Sequence, residues 1–192
     1  VMNFGILMIQ GLVNSFGTAV MAAFAAAVKI DSFAYMPAQE FANAFSIFIS
    51  QNYGAGKKER VQQSVRDSFR TSVIFCILIS VLVFLLAPYL MMIFISPSET
   101  EIIRIGTEYL RIEGACYCGI GILFLLYGYF RAIEKPAVSI VLTVISLGTR
   151  VALSYTLSAV PRIGYLGIWA SIPIGWLLAD VAGYVLVRRE RA

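Results

Sequence analysis

Long apolar stretches alternate along the chain with short segments that carry most of its charges. Residues 71–98 form a run of 28 residues without a charge, and 136–160 and 163–187 contain one charged residue each. A helix needs about 20 apolar residues to cross the roughly 30 Å hydrocarbon core of a bilayer. The pattern therefore predicts an all-α integral membrane protein.

The first 52 residues are less regular, because Asn14–Thr18 interrupts an uncharged stretch with turn-forming residues. We interpret them as two helices. Residues 114–130 are uncharged and follow an amphipathic stretch, which favours one long helix over about 102–130. The sequence thus predicts six spans, at about 1–16, 20–52, 62–95, 102–130, 136–160 and 164–187.

Basic residues are unevenly divided between the two sides of this topology. Ten lie in 53–70, 131–136 and the C-terminal segment, whereas the alternate loops contain only Arg162. Because cytoplasmic loops of membrane proteins are enriched in Lys and Arg, we expect both ends of the chain in the cytoplasm. The net charge of +4 then reflects membrane topology, and we predict no nucleic-acid partner.

Composition narrows the class further. The chain has 192 residues, of which 59% are hydrophobic and 14% are charged, and it lacks histidine. This composition excludes a soluble globular domain, a disordered tail and a disulfide scaffold. Without histidine, no Ser-His-Asp or Cys-His nucleophile is present, and we predict neither enzymatic activity nor a metal site. The three cysteines have no CxxC spacing and are interpreted as small core residues.

We expect residues 1–192 to form a single transmembrane unit, because no linker or low-complexity stretch divides them. The chain begins with Val1 inside an apolar helix. The sequence contains no basic n-region, cleavage site or targeting signal. The simplest interpretation is a piece of a longer protein.

Three charged residues of the second span are costly in a bilayer unless they meet a partner or water. They are Lys29, Asp31 and Glu40, with Pro37 between them as a predicted kink. Lys29 and Glu40 share a helix face, and Asp31 lies about 180° from Glu40. Two interpretations stay open. Either these residues line a water-filled cavity with a protonatable carboxylate, or Lys29 pairs with an acid and locks helices together.

Other polar and aromatic residues within the spans also have two interpretations. Arg150 and Asp180 either form structural pairs or serve transport, and we favour the structural role for Asp180. Arg111 and Glu113 are interpreted as interfacial side chains that reach toward water. Phe124 and Tyr127 either stack on an aromatic cation or face lipid and core.

The glycine-rich stretch Gly54–Arg60 lacks the GxxxxGK[ST] spacing of a phosphate-binding loop. It predicts the end of a helix followed by a cytoplasmic hairpin.

Several of these segments together resemble the bacterial MATE (multidrug and toxic compound extrusion) family. The resemblance is carried by Lys29-Ile30-Asp31, Met36-Pro37, the Ser50–Lys57 block with Arg60, Tyr109–Ile112 and Gly128–Ile133. The most specific part is a loop motif made of Gln51, Asn52, Gly54, Ala55, Gly56 and Arg60.

The resemblance implies a fold and a function. The chain would be the C-terminal six-helix lobe of a twelve-helix transporter in the cell (inner) membrane, and the N-terminal lobe would be its missing partner. The activity would be exchange of small amphipathic or cationic compounds for H⁺ or Na⁺ by alternating access, without another cofactor.

The sequence departs from one branch of the family. NorM-like members place acids in the helices that correspond to the first and fourth spans. Here the first span has Gln10 as its most polar interior residue, and Gly119 and Ile120 stand where the second acid is expected. The chain therefore resembles the DinF-like branch more closely. If this lobe contributes a protonatable group, we expect Glu40 or Asp31.

Two other functions stay open. One is a lipid-linked oligosaccharide flippase of the same superfamily, although its cavity is expected to be strongly cationic. The other is a non-transporting membrane scaffold, which would tolerate apolar replacements of Lys29, Asp31 and Glu40.

Overall fold

The computed structural model describes residues 2–191, and the side chains of residues 7–189. This part of the chain is all-helical and contains no strand, which confirms the predicted fold class. The seven helices are α1 (Met2–Asn14), α2 (Thr18–Gly54), α3 (Lys58–Met92), α4 (Thr100–Gly114), α5 (Tyr117–Ala132), α6 (Pro136–Ser158) and α7 (Leu166–Arg191).

Four of the described helices, α2, α3, α6 and α7, are long and apolar enough to cross a membrane, and α4 with α5 makes a fifth span if the bent pair is counted as one. By contrast, α1 has 13 residues, which corresponds to about 20 Å of helix. The sequence predicts that the first helix spans the membrane. The described part of that helix is shorter than the roughly 30 Å hydrocarbon core of a bilayer.

The prediction of one continuous helix over 102–130 is wrong at its middle. The chain bends by 53° between Gly114 and Tyr117. At the bend the Cys116 amide donates to the carbonyl of Glu113, 2.8 Å away, which tightens the turn. No proline marks this position, so hydropathy alone contained no sign of the break.

The centre of the bundle is α2, which packs against α1, α3, α4 and α5, while α6 and α7 pack closely against each other. Small residues permit the closest approaches. A Cβ on Gly128 of α5 would lie 2.8 Å from the Ala42 carbonyl oxygen of α2. Phe24 of α2 stacks on Trp169 of α7 with ring centroids 5.3 Å apart, which ties these helices together at one end of α2.

The outer faces of α3 and α6 are apolar and exposed. Ile74, Leu78 and Leu85 point outward from α3, and Ile140 and Val144 from α6. A helix whose exposed face is aliphatic suits contact with lipid tails. These faces of α3 and α6 are therefore suited to contact with lipid.

Gly56, in the turn between α2 and α3, provides a test of the loop motif. Its φ is +68°, a conformation that costs L-residues with side chains about 1–2 kcal/mol. We expect Gly56→Ala to lower the free energy of unfolding of the full-length protein by about that amount. Denaturant titration in detergent measures the change.

The matched control for this prediction is Gly54→Ala. Gly54 ends α2, has no positive φ, and a Cβ there would meet no atom within 4 Å. Equal stability losses for the two variants would contradict the strain argument.

Candidate functional site

Two carboxylic acids are buried side by side in the interior of the lobe. Asp31 of α2 and Glu113 of α4 are 4% and 1% exposed. The Tyr117 hydroxyl, at the start of α5, donates a hydrogen bond to Oδ1 of Asp31. The bend between α4 and α5 makes this arrangement, since it brings Glu113 and Tyr117 against the same part of α2.

The environment of Glu113 leaves part of its carboxyl group free. Its side chain interacts with Asp31 and with the buried Tyr109. Its Oε1 atom is buried and has no hydrogen-bond partner among the described residues. Burying an acceptor without a partner is costly, so this oxygen marks a position where a proton or a ligand would be stabilising.

Arg150 of α6 supplies positive charge to this cluster. Its charge acts on both Asp31 and Glu113. No salt bridge joins Arg150 to either carboxylate within the described part of the chain, and its buried Nε has no hydrogen-bond partner there. Two acids and one guanidinium leave one negative charge without a counter-charge if both acids are ionised.

The two acids lie at the same depth. Asp31 is thirteen residues from the start of α2, and Glu113 is thirteen residues from the start of α4. At 1.5 Å per residue, each is about 20 Å from the loop end of its helix. Those ends form the side of the lobe opposite the basic loops, so both acids are about 20 Å along their helices from that side.

The three charged residues of α2 point in different directions, as their helical spacing predicts. Asp31 is buried, whereas Lys29 and Glu40 are exposed on α2. The Asn43 side-chain amide donates to Glu40 Oε2 at 3.4 Å. Lys29 forms no salt bridge in the part of the chain that the structure describes. Of these three charged residues, only Asp31 interacts with Glu113.

Gln10, a candidate cavity residue, is exposed on α1, and Pro37, the predicted kink, is exposed on α2. The helix α2 continues without a break through Pro37.

The aromatic candidates lie apart from the acids. Phe124 and Tyr127 of α5 line an open cavity of about 420 Å³ with Gln39, Asn43 and Arg131. Arg131 is held there because its guanidinium donates to Asn43 Oδ1 at 3.0 Å. The cavity therefore combines aromatic rings with amides and a fixed cation.

The loop motif has a structural arrangement at the end of α2. Asn52 is buried, and its side chain donates to the Phe48 carbonyl at 2.8 Å. Its own carbonyl accepts the Lys57 amide at 2.9 Å. The other members of the motif, Gln51, Gly54, Ala55, Gly56 and Arg60, are exposed. This geometry ends α2 and turns the chain into α3, as the glycine-rich spacing predicts.

Sequence reasoning missed Glu113. The sequence predicts that Glu113 is an interfacial side chain, and this prediction is wrong. The structure buries Glu113, because the bend turns the end of α4 inward. Arg111, its neighbour, is exposed and lies 5.4 Å over the Phe84 ring. A signal was present in the spacing of Tyr109 and Glu113 on α4, since residues four apart share one helix face.

Comparison with known proteins agrees with this architecture. The MatE family model matches residues 1–156. The chain is 31% identical over 189 residues to the probable multidrug resistance protein YpnP of Bacillus subtilis, covering 97% of this chain and 41% of YpnP. It is 25% identical to a FAD transporter of Shewanella oneidensis, covering 88% of this chain and 37% of the relative.

Solved structures show the same fold. The chain superimposes on a MOP superfamily transporter from Pyrococcus furiosus with a TM-score of 0.91 and 20% identity, covering 98% of this chain and 42% of that one. The fold and the buried polar site define a helical lobe of a membrane protein. The chain belongs to the MATE family, whose members are transporters rather than enzymes. It spans about 40% of the length of the relatives it matches.

Proposed function

We propose that the chain is the C-terminal lobe of a secondary active antiporter. This antiporter exports small amphipathic or cationic compounds in exchange for H⁺ or Na⁺. Its place is the cell (inner) membrane, with both ends of this segment in the cytoplasm. The observation that carries the proposal is the contact between the buried carboxyl groups of Asp31 and Glu113.

Charge balance explains why this pair suits ion coupling. An unbalanced buried charge costs several kcal/mol, and Arg150 can neutralise only one of the two carboxylates. A bound proton or Na⁺ would neutralise the other. Loading and release of the ion would then alter the contacts between α2 and the α4–α5 bend, which is a physical link between the ion and helix position.

The missing N-terminal lobe would complete the substrate cavity. The chain spans 41% of the length of YpnP, which leaves room for another unit of similar size. The exposed face of α2 carries Gln39, Glu40 and Asn43, which are polar residues unsuited to lipid. We propose that this face, with Phe124 and Tyr127, meets substrate between the two lobes.

The alternatives are less well supported. A flippase cavity that holds pyrophosphate would need clustered cations, and in this lobe Arg150 faces two acids. A scaffold offers no reason for two acids to be buried in contact. Ion-driven transport of a cation, measured in variants of the two acids, distinguishes the proposed antiporter from a flippase and from a scaffold.

The test is transport by the full-length protein in proteoliposomes, with ethidium as the fluorescent cation and an imposed H⁺ or Na⁺ gradient. We expect Asp31→Asn and Glu113→Gln each to lower gradient-driven transport about tenfold or more, the size of a typical coupling free energy. The gradient that drives transport by the unmodified protein identifies the ion.

Two further variants act as controls. Asp67→Asn removes an exposed carboxylate of α3 and should leave transport unchanged. Glu40→Gln tests whether the exposed acid of α2 also contributes. Unimpaired transport by both Asp31→Asn and Glu113→Gln would overturn the proposed coupling site.

A further inference from the structure

A packed layer of aromatic rings adjoins the acid pair. Phe24 of α2, Tyr109 of α4 and Trp169 of α7 contact one another, with ring centroids 5.7, 5.3 and 5.0 Å apart. Tyr109 and Trp169 are buried, and Phe24 is half-buried. Three helices thus contribute one ring each to a single set of contacts, which we call the ring layer.

Helical spacing places the ring layer on the outer side of the acids, where the outer end of the lobe is the end opposite the basic loops. Phe24 is about two turns before Asp31 and on the same face of α2. Tyr109 is one turn before Glu113 on α4 and interacts with it. Trp169 is in the first turn of α7, which begins at the outer end. The rings therefore lie between the acid pair and the outer end.

A hydrogen bond at the outer end holds α7 against α4 beside the ring layer. Tyr165, one residue before α7, packs its ring against Trp169 with centroids 5.9 Å apart, and its hydroxyl donates to Glu108 Oε2 at 2.9 Å. Glu108 precedes Tyr109 on α4, and its other oxygen accepts from Arg104 at 2.6 Å. Breaking the contact between Tyr165 and Glu108 would therefore free the start of α7 from α4.

The approach to the acids from the side of the basic loops is different. Tyr35 of α2 is half-buried and interacts electrostatically with Asp31 and Glu113. Its ring contacts that of Phe124, with centroids 5.8 Å apart, and Phe124 lines the open cavity that contains Arg131. The acid pair thus has a neighbour that borders an open cavity on this side, and a packed layer of rings on the outer side.

The ring layer also contains a group that favours its opening. Trp169 is fully buried, yet its indole Nε1 has no hydrogen-bond partner among the described residues. An unpaired buried donor is costly, and water would satisfy it when the rings separate. This gain partly offsets the loss of ring contacts, so the layer is suited to local opening without unfolding of the lobe.

We propose that the ring layer is an outer gate over the acid pair, held closed by the hydrogen bond between Tyr165 and Glu108. When the gate opens, the ion passes between the acids and the outer end. The inference rests on the proposed function, since a gate has a role only if the acid pair takes up an ion. Access to the acids is measured without transport, however, so the gate and the ion coupling can fail independently.

The experiment measures how fast a thiol reagent reaches the acid pair from the outer side. Glu113→Cys is introduced into the full-length protein with its native cysteines changed to alanine. Spheroplasts are treated with a permanently charged, membrane-impermeant methanethiosulfonate, because the proposed orientation places the outer end outside the cell. Tyr165→Phe removes only the hydroxyl group, and should speed labelling about fivefold, the contribution of one hydrogen bond. Trp169→Ala removes a ring and should speed labelling further.

Three controls isolate the gate. Tyr155→Phe is the matched variant: it removes a hydroxyl that donates to the Met8 carbonyl of α1 at 3.2 Å, outside the ring layer, and should leave the rate unchanged. Ser98→Cys, exposed between α3 and α4, should label equally in every background. Tyr127→Cys lines the open cavity, and its rate should be the same with and without Tyr165→Phe. Size-exclusion profiles that match the parent protein show that the variants are folded.

Two kinds of result would overturn the gate. One is an unchanged labelling rate of Glu113→Cys in Tyr165→Phe or in Trp169→Ala, since the first variant tests the hydrogen bond and the second tests the rings. The other is an equal increase at Tyr127→Cys, which would assign the effect to the open cavity. In either case, gradient-driven transport that still depends on both acids would retain the ion-coupling proposal.

Discussion

Arg150→Gln is expected to lower the free energy of unfolding of the full-length protein by about 2 kcal/mol, less than the roughly 3–5 kcal/mol for breaking a buried ion pair, because Arg150 is not in direct contact with either acid. The guanidinium acts on Asp31 and Glu113 without a direct salt bridge, and its loss leaves two buried acids in contact with no counter-charge. Denaturant unfolding in detergent measures the change.

The double variant Arg150→Gln/Glu113→Gln tests the charge argument. It removes one charge of each sign, so the net charge of the cluster equals that of the unmodified protein. We expect it to be more stable than Arg150→Gln alone, because the two losses are coupled through shared partners. A double variant as unstable as the sum of the two single variants would show that Arg150 stabilises through packing.

Gly175→Ala is expected to cost about 2 kcal/mol, within the range for overpacking a close-packed interior. A Cβ on Gly175 of α7 would lie 2.5 Å from the Ser146 carbonyl oxygen of α6 and 3.6 Å from Cβ of Arg150. Because the nearest atom is backbone, α6 and α7 must separate to admit a methyl group. Thermal unfolding of the purified protein detects the loss.

Gly148→Ala is the matched control on α6. A Cβ there would meet no atom within 4 Å, so the substitution adds no clash. Alanine also has the higher helix propensity, by about 1 kcal/mol in water. We expect stability to be unchanged or slightly raised. A similar loss in Gly148→Ala and Gly175→Ala would indicate that the α6–α7 crossing is not the cause.

Both predictions concern the same region of the lobe. Gly175 lets α7 approach the α6 backbone beside Arg150, and Arg150 then faces the acids of α2 and α4. A shift of α6 would therefore change the electrostatic interaction of Arg150 with the two acids. The stability of the helix crossing and the proposed ion coupling depend on one piece of backbone geometry.

The pattern of apolar residues was enough to predict the helical membrane fold. Charge-free runs as long as 71–98 have no stable alternative in a bilayer, where every backbone polar group must be bonded within the segment. Helical spacing likewise predicted that Asp31 and Glu40 point in opposite directions, and the structure buries the first and exposes the second. These features depend on local geometry, which the sequence contains.

The acid pair depended on tertiary structure. Asp31 and Glu113 are 82 positions apart in the sequence, and they meet because the chain bends by 53° between α4 and α5. Neither the bend nor the burial of Glu113 follows from hydropathy, since both depend on how α2, α3 and α4 pack. Local patterning thus determined that the chain is a helical membrane protein, and long-range packing decided which of its charges share one low-dielectric site.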